Sequence, residues 1–162
     1  MSEKPWLEEF EKEVARLRPM WQAAYDDKVE MFPKYPDQPA KWWFNKWAAE
    51  QPDKPYVMQG DTVLTYGMVN DISRRLGNAL TSLGVKKGDR VAIMSPNLPQ
   101  YVIAIQALIK IGAIEVPSNP LYTIRELTIL FNDSGAETVI VASMFADKAI
   151  QIMKDPTNPV RQ

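Results

Sequence analysis

Arg90-Val91-Ala92-Ile93-Met94-Ser95-Pro96-Asn97-Leu98-Pro99 is the stretch on which the fold reading turns. Val91 to Met94 form an unbroken apolar run of strand length, as expected of a strand covered on both faces. Ser95-Pro96-Asn97 punctuates it as a loop, and Pro99 suits the first turn of a helix, where a missing N–H costs nothing. The grammar then repeats. A helix to about Ile111 stops at Gly112 and leads into a second strand, Ala113 to Pro117. After the loop Asn119-Pro120-Leu121-Tyr122, Thr123 and Glu126 have capping-box spacing, with Leu127, Leu130 and Phe131 on the buried face. Asn132-Asp133-Ser134-Gly135 ends that helix, and Thr138 to Val141 is a third strand. Ser143 is placed to cap a last helix through Met153. Three strands separated by single helices predict an α/β fold with a parallel βαβαβ sheet, because short right-handed crossovers allow little else.

Working back toward the N-terminus, Tyr56–Gln59 and Thr62–Thr65 flank Gly60-Asp61, and glycine at the first central position predicts a type II′ hairpin. Thr65 caps a helix with the stripe Val69, Ile72, Leu76, Leu80 and Leu83, and Gly84 stands where a left-handed C-terminal residue belongs. Trp42, Trp43, Phe44 and Trp47 crowd a short helix ending near Glu50. They read either as core packing of a helix buried on most sides or as a stacking platform. Leu7, Phe10, Val14 and Leu17 recur at helical spacing, Pro19 is expected to break or kink that helix, and Trp21 and Tyr25 suggest a second helical stretch. Pro33, Pro36 and Pro39 enforce extended chain. The expected division is an arm over 1–40, an α/β subdomain over 41–155 and an aperiodic tail over 156–162, read as ending at a truncation. The arm either lies across a neighbouring surface or makes a dimer contact. The helix of 99–111, apolar on most faces, is expected to need cover from more protein than this chain contains.

Composition narrows the chemistry. Of 162 residues, 46% are hydrophobic and 24% charged, the balance of a globular domain rather than a disordered chain. Nineteen basic and twenty acidic residues leave a net charge of -1, with no basic footprint for nucleic acid. No cysteine or histidine is present, which removes disulfides, thiol nucleophiles, the usual zinc sites and Ser-His-Asp catalysis. Met1-Ser2-Glu3-Lys4-Pro5-Trp6 lacks the apolar core of a secretory signal, and the expected compartment is the cytoplasm. The seven glycines never approach closer than four positions, so neither a dinucleotide-binding turn nor a P-loop can be written. Gly84-Val85-Lys86-Lys87-Gly88 reads as a helix stop and a turn into a strand rather than a phosphate cradle. Glu115, inside a strand, is expected to face a polar seam or pair with a lysine. No catalytic, cofactor-binding or metal-ligating residue is assigned. Ligand sites of open α/β sheets gather outside the carboxyl ends of the strands, which marks Pro96, Asn97, Asn119, Pro120 and Tyr122 as candidate ligand-facing residues. The two asparagines serve equally well as turn residues.

The runs Gly84-Val85-Lys86-Lys87-Gly88-Asp89-Arg90-Val91-Ala92-Ile93-Met94-Ser95-Pro96-Asn97 and Gly112-Ala113-Ile114-Glu115-Val116-Pro117-Ser118-Asn119-Pro120-Leu121-Tyr122-Thr123 resemble the opening signatures of adenylate-forming (AMP-binding) enzymes. Arg125-Glu126-Leu127 and Asn132-Asp133-Ser134-Gly135-Ala136 continue the likeness, which spans about residues 36–142. Pro117-x-Asn119-Pro120-Leu121-Tyr122-Thr123 is most similar to the medium- and long-chain fatty acid–CoA ligases. The resemblance implies the N-terminal part of a larger domain, whose parent joins a fatty acid to coenzyme A through an acyl-adenylate, using ATP and magnesium. It further implies that the parent's phosphate-holding donors lie in motifs this sequence does not contain: a Ser/Thr/Gly-rich loop ending in lysine, an acidic nucleoside site and a lid lysine. The chain itself is therefore expected to be inactive and to bind none of ATP, magnesium or coenzyme A tightly. A homodimer and peripheral membrane association are further expectations for the parent. The rival reading is a stand-alone non-catalytic α/β binding or interaction module.

Overall fold

The computed structural model describes residues 5–25 and 34–162. These fall in two compact units, Met1–Asp37 and Gln38–Gln162. In the first, α1 (Pro5–Ala24) is one continuous helix that carries Pro19 inside it, so of the break or kink expected there the break does not occur. A proline costs the helix its own N–H bond, and the flanking turns persist across that gap. Trp6, Phe10, Met20 and Trp21 on this helix are exposed. The expectation at Pro33 falls outside the described residues.

The second unit opens with α2 (Ala40–Glu50), preceded by extended Pro39. Only Phe44 and Ala48 of α2 are buried, and Trp43 is 45% exposed, so the tryptophan-rich helix buries one side rather than most. Strands β1 (Pro55–Gln59) and β2 (Thr62–Thr65) pair antiparallel. Gly60 has φ +53° while no described non-glycine residue has positive φ, which suits type II′ and excludes type I′. Helix α3 (Tyr66–Ser82) is capped by Thr65, whose hydroxyl accepts from the Met68 N–H. Its stripe behaves as expected except at Leu83, which is 63% exposed. Instead the small residues Ser73 and Gly77 are buried, letting a second helix approach closely.

That second helix is α4 (Pro99–Ile111), between β3 (Arg90–Met94) and β4 (Ile114–Ser118). Then follow α5 (Ile124–Ser134), β5 (Thr138–Val141) and α6 (Ala146–Met153). The Thr123–Glu126 capping box is complete, and Gly112 and Gly135 close their helices with left-handed φ of +74° and +65°. Ser143 does not cap α6. It opens a single 3₁₀ turn, Ser143–Phe145, and α6 starts without a side-chain cap.

The sheet is parallel with order β4-β3-β5, the first crossover going to one side of β3 and the second to the other. Alternation along the strands sorts the core into two layers. Ala92, Met94 and Val116 face α5 and α6 with Leu127, Phe131, Ala149 and Ile152. Val91 and Ile93 face α3 and α4 with Leu80, Ala104 and Leu108. A third cluster joins α2, the hairpin and both helices through Phe44, Val69 and Ile103. The rings of Phe44, Tyr56 and Tyr66 meet there with centroids 4.4–5.7 Å apart.

Helix α4 finds much of its cover within the chain: six of its thirteen residues are buried and Gln100 is exposed, because the sheet takes one side and α2, α3 and the hairpin take others, while Tyr101, Val102, Ile105 and Ile109 stay partly exposed. Residues 156–162, aperiodic in sequence, are tied down. Val160 and Asn158 are fully buried, the Arg161 N–H donates to the Glu137 carbonyl, and the Val139 N–H donates to the Gln162 carbonyl. No described helix is long and apolar enough to cross a membrane.

Candidate functional site

At the carboxyl ends of β3 and β4 the chain leaves a recess of about 560 Å³. Pro96, Asn97, Asn119, Pro120 and Tyr122 all border it, together with Ser95 and Tyr101. Two loops far apart in sequence thus meet because parallel strands release their chains at one edge of the sheet. A second, more apolar pocket of about 260 Å³ lies against Ile93, Ala104, Ile140 and Met144, and shares Ser95 and Tyr101 with the recess.

The loops are held by bonds of quite different kinds. Gln59 Nε2 reaches from the hairpin to the Asn97 carbonyl at 3.0 Å. Asn119 acts as a turn residue: its Oδ1 accepts from the Leu121 N–H at 2.9 Å. Lys148, from α6, donates to the Pro120 and Tyr122 carbonyls at 2.6 and 2.7 Å. A charged donor to two backbone oxygens is a strong clamp. It holds the loop on which Leu121 is 80% exposed and Tyr122 40% exposed.

Tyr101 was not singled out from sequence, yet it borders the recess, the apolar pocket and a third hollow beside the hairpin. Its hydroxyl donates to Glu115 Oε1 at 2.7 Å. Burial, then the bond to Glu115 and the charge of that carboxylate, push the phenol up to about 12. Of the two expectations for Glu115, a polar seam or a lysine partner, the contact with the Tyr101 hydroxyl agrees with the first. A separation of 14 residues carries no periodic signal; only the crossover from α4 into β4 brings the two together. Lys148 was equally silent, since its partners are backbone carbonyls that any residue provides.

The recess is lined by hydroxyl, amide and apolar groups, with no cation among its lining residues. Lys148 is committed to the loop carbonyls. Among the described residues no three acidic, histidine or cysteine side chains converge to hold a metal. These residues do not fit a triphosphate with its magnesium unless further donors are supplied. Lys86 and Lys87 lie at the other end of the sheet, in a turn closed by the Lys86 N–H on Asp89 Oδ2 and the Gly88 N–H on the Gly112 carbonyl.

The model of the AMP-binding enzymes matches residues 44–161, which include every element from α3 to α6. The chain belongs to the AMP-binding enzyme family. Within it, the chain is 39% identical over 149 residues to the long-chain-fatty-acid–CoA ligase of Salmonella typhimurium LT2, covering 88% of this chain and 23% of that protein. It is 30% identical over 151 residues to the Bacillus subtilis enzyme of the same name, covering 93% and 24%. Among solved structures it resembles a Mycobacterium tuberculosis fatty acyl CoA synthetase, with TM-score 0.68 and 29% identity over 74% of this chain and 24% of that one. The N-terminal domain of FACL13 from the same organism matches with TM-score 0.70 and 28% identity, over 75% and 32%. The chain thus spans about a quarter of the length of the curated relatives it matches.

Proposed function

We propose that this chain is the N-terminal portion of a long-chain fatty acid–CoA ligase. The parent converts a fatty acid, ATP and coenzyme A to acyl-CoA, AMP and pyrophosphate through an acyl-adenylate. The observation that carries this reading is the match to ligases of that name along 88% of the chain at 39% identity. In such chemistry, magnesium and cationic donors stabilise charge on the phosphate oxygens as the carboxylate attacks.

The residues present supply walls rather than donors. The Ser95–Asn97 and Asn119–Tyr122 loops border the recess, Lys148 keeps one of them in place, and the Tyr101–Glu115 pair fixes the first turn of α4 against β4. With no cation in the lining of the recess, the chain alone does not adenylate and does not hold ATP tightly there. Long-chain specificity, homodimer formation, peripheral membrane association and a cytoplasmic site of action belong to the same proposal for the parent.

Two measurements test it. The coding sequence is expected to continue past Gln162 into a Ser/Thr/Gly-rich loop ending in lysine; an immediate stop codon overturns the ligase reading. The chain, assayed with palmitate, magnesium, ATP and coenzyme A, is expected to release no AMP, and turnover would refute its inactivity. One observation favours a second reading, a self-sufficient binding module: α4 finds much of its cover within the chain, only Gln100 being exposed. A monodisperse, cooperatively folding chain together with that immediate stop codon would establish it.

A further inference from the structure

Away from the recess, α2, α3 and α4 border a groove of about 450 Å³ lined by Lys41, Asn45, Asn70, Arg74 and Lys110, together with Ala48 and Ala49. Pro99 opens α4 at the recess end, whereas Lys110 lies in its last turn, ~16 Å further along at 1.5 Å per residue. The proposed ligase function makes no use of this place, and the chemistry of the groove is independent of that reading.

The groove offers hydrogen-bond donors almost exclusively. Lys110 Nζ donates to Asn45 Oδ1 at 2.9 Å and to Asn70 Oδ1 at 2.8 Å, and sits 4.8 Å from the centre of the Phe44 ring. With both amide oxygens turned to the ammonium, each asparagine is left with its Nδ2 as a donor, and neither Nδ2 bonds to a described residue. Arg74 uses one nitrogen on Asp71, a carboxylate it shares with Arg75. That leaves one carboxylate against two guanidinium groups, and Asp71 does not line the groove. Lys41, Arg74 and Lys110 therefore bring three positive charges into one hollow with no acid in its walls.

A purely structural role accounts for part of this. Lys110 stitches three helices and complements the negative end of α4. That role does not require Lys41 and Arg74 to face the same hollow. Nor does it explain why a half-buried ammonium lacks a carboxylate, since burying an unpaired charge is costly. Burial first, and then Arg74, hold the Lys110 ammonium below its ordinary pKa. An oxyanion in the groove would relieve both effects.

We propose that the groove formed by Lys41, Asn45, Asn70, Arg74 and Lys110 is a binding site for a phosphate group. A phosphate offers several acceptor oxygens and more than one negative charge, matching three cations and two amide donors. The group is borne either by a free phosphate compound or by a phospholipid headgroup.

Titration of the full chain with sodium pyrophosphate at constant ionic strength tests this by nitrogen–proton NMR. The side-chain amide signals of Asn45 and Asn70 are expected to move saturably. The double variant Lys41→Gln/Arg74→Gln removes two exposed cations while Arg75 keeps Asp71 paired, so the fold is retained, and it should weaken the apparent affinity at least tenfold. The control Lys86→Gln/Lys87→Gln removes equal charge from the remote turn and should leave affinity unchanged. Absence of a saturable shift, or equal weakening by the control, overturns the proposal. Co-sedimentation with phosphatidylglycerol-containing vesicles separates the sources. Binding that is lost in the double variant and competed by pyrophosphate assigns the headgroup, whereas amide shifts with pyrophosphate but no sedimentation assign a free phosphate compound.

Discussion

Gly77 lies where α3 meets α4, and a Cβ added there would stand 3.1 Å from Ile111 Cγ2 and 3.5 Å from the Ala107 carbonyl oxygen. Two effects oppose each other in Gly77→Ala. Alanine gains about 1 kcal/mol of helix propensity over glycine. The 3.1 Å contact must open by a few tenths of an ångström, which a single methyl on Ile111 can concede, so the net change should stay within about 1 kcal/mol of zero. Gly77→Leu has no such escape, because the added carbons meet the α4 backbone as well as Ile111. Overpacking of this kind costs about 1–3 kcal/mol. For a unit running from Gln38 to Gln162, with unfolding entropy of about 2.1 cal/mol/K per residue, each kcal/mol moves Tm by about 4 °C. The expected loss is therefore about 4–12 °C, with a matching fall in urea midpoint at unchanged slope. A double-mutant cycle with Ile111→Ala, which removes the offending methyl, should show the two losses to be less than additive. If Gly77→Leu is as stable as the parent within about 0.5 kcal/mol, or the cycle is additive, the helices do not pack as closely as described.

Three further outcomes are expected. In a spectrophotometric titration one tyrosine should ionise near 12, above the usual 10, and Tyr101→Phe should delete that step, while Glu115→Gln should move it down. Glu126 is held below its ordinary carboxylate pKa by the backbone and side chain of Thr123. A depressed folded pKa means stability present above the ordinary value of 4.5 and lost as pH falls through the folded value, so the stability gap between the parent and Thr123→Ala should narrow as pH falls below that ordinary value. Lys148→Met should release the loop it clamps, and hydrogen exchange at the Leu121 and Tyr122 amides is expected to quicken at least tenfold while Phe131 in α5 is unchanged. Equal exchange in both proteins would deny Lys148 that role.

What one stretch of chain decides about itself was legible. The apolar run Val91–Met94, Pro99 at a helix start, the Thr123–Glu126 box and the glycines at 84, 112 and 135 each set a local dihedral, cap or burial pattern from neighbours within four residues, and the structure follows them. From these alone came the βαβαβ order and the meeting of the 95–97 and 119–122 loops at one sheet edge. Assembly decided the rest. The apolar girth of α4 told that it would be covered, but not that α2, α3 and the hairpin of the same chain would cover it, because burial depends on what the fold brings alongside. The tail looked structureless because its order comes from pairing with β5, a partner about 20 residues away. Tyr101 with Glu115, Lys148 with two carbonyls, and Lys110 with Asn45 and Asn70 are contacts across 14 to 65 residues. Sequence periodicity encodes which face of an element is apolar. Which polar groups converge is set by crossing angles and registers that exist only after the elements have packed.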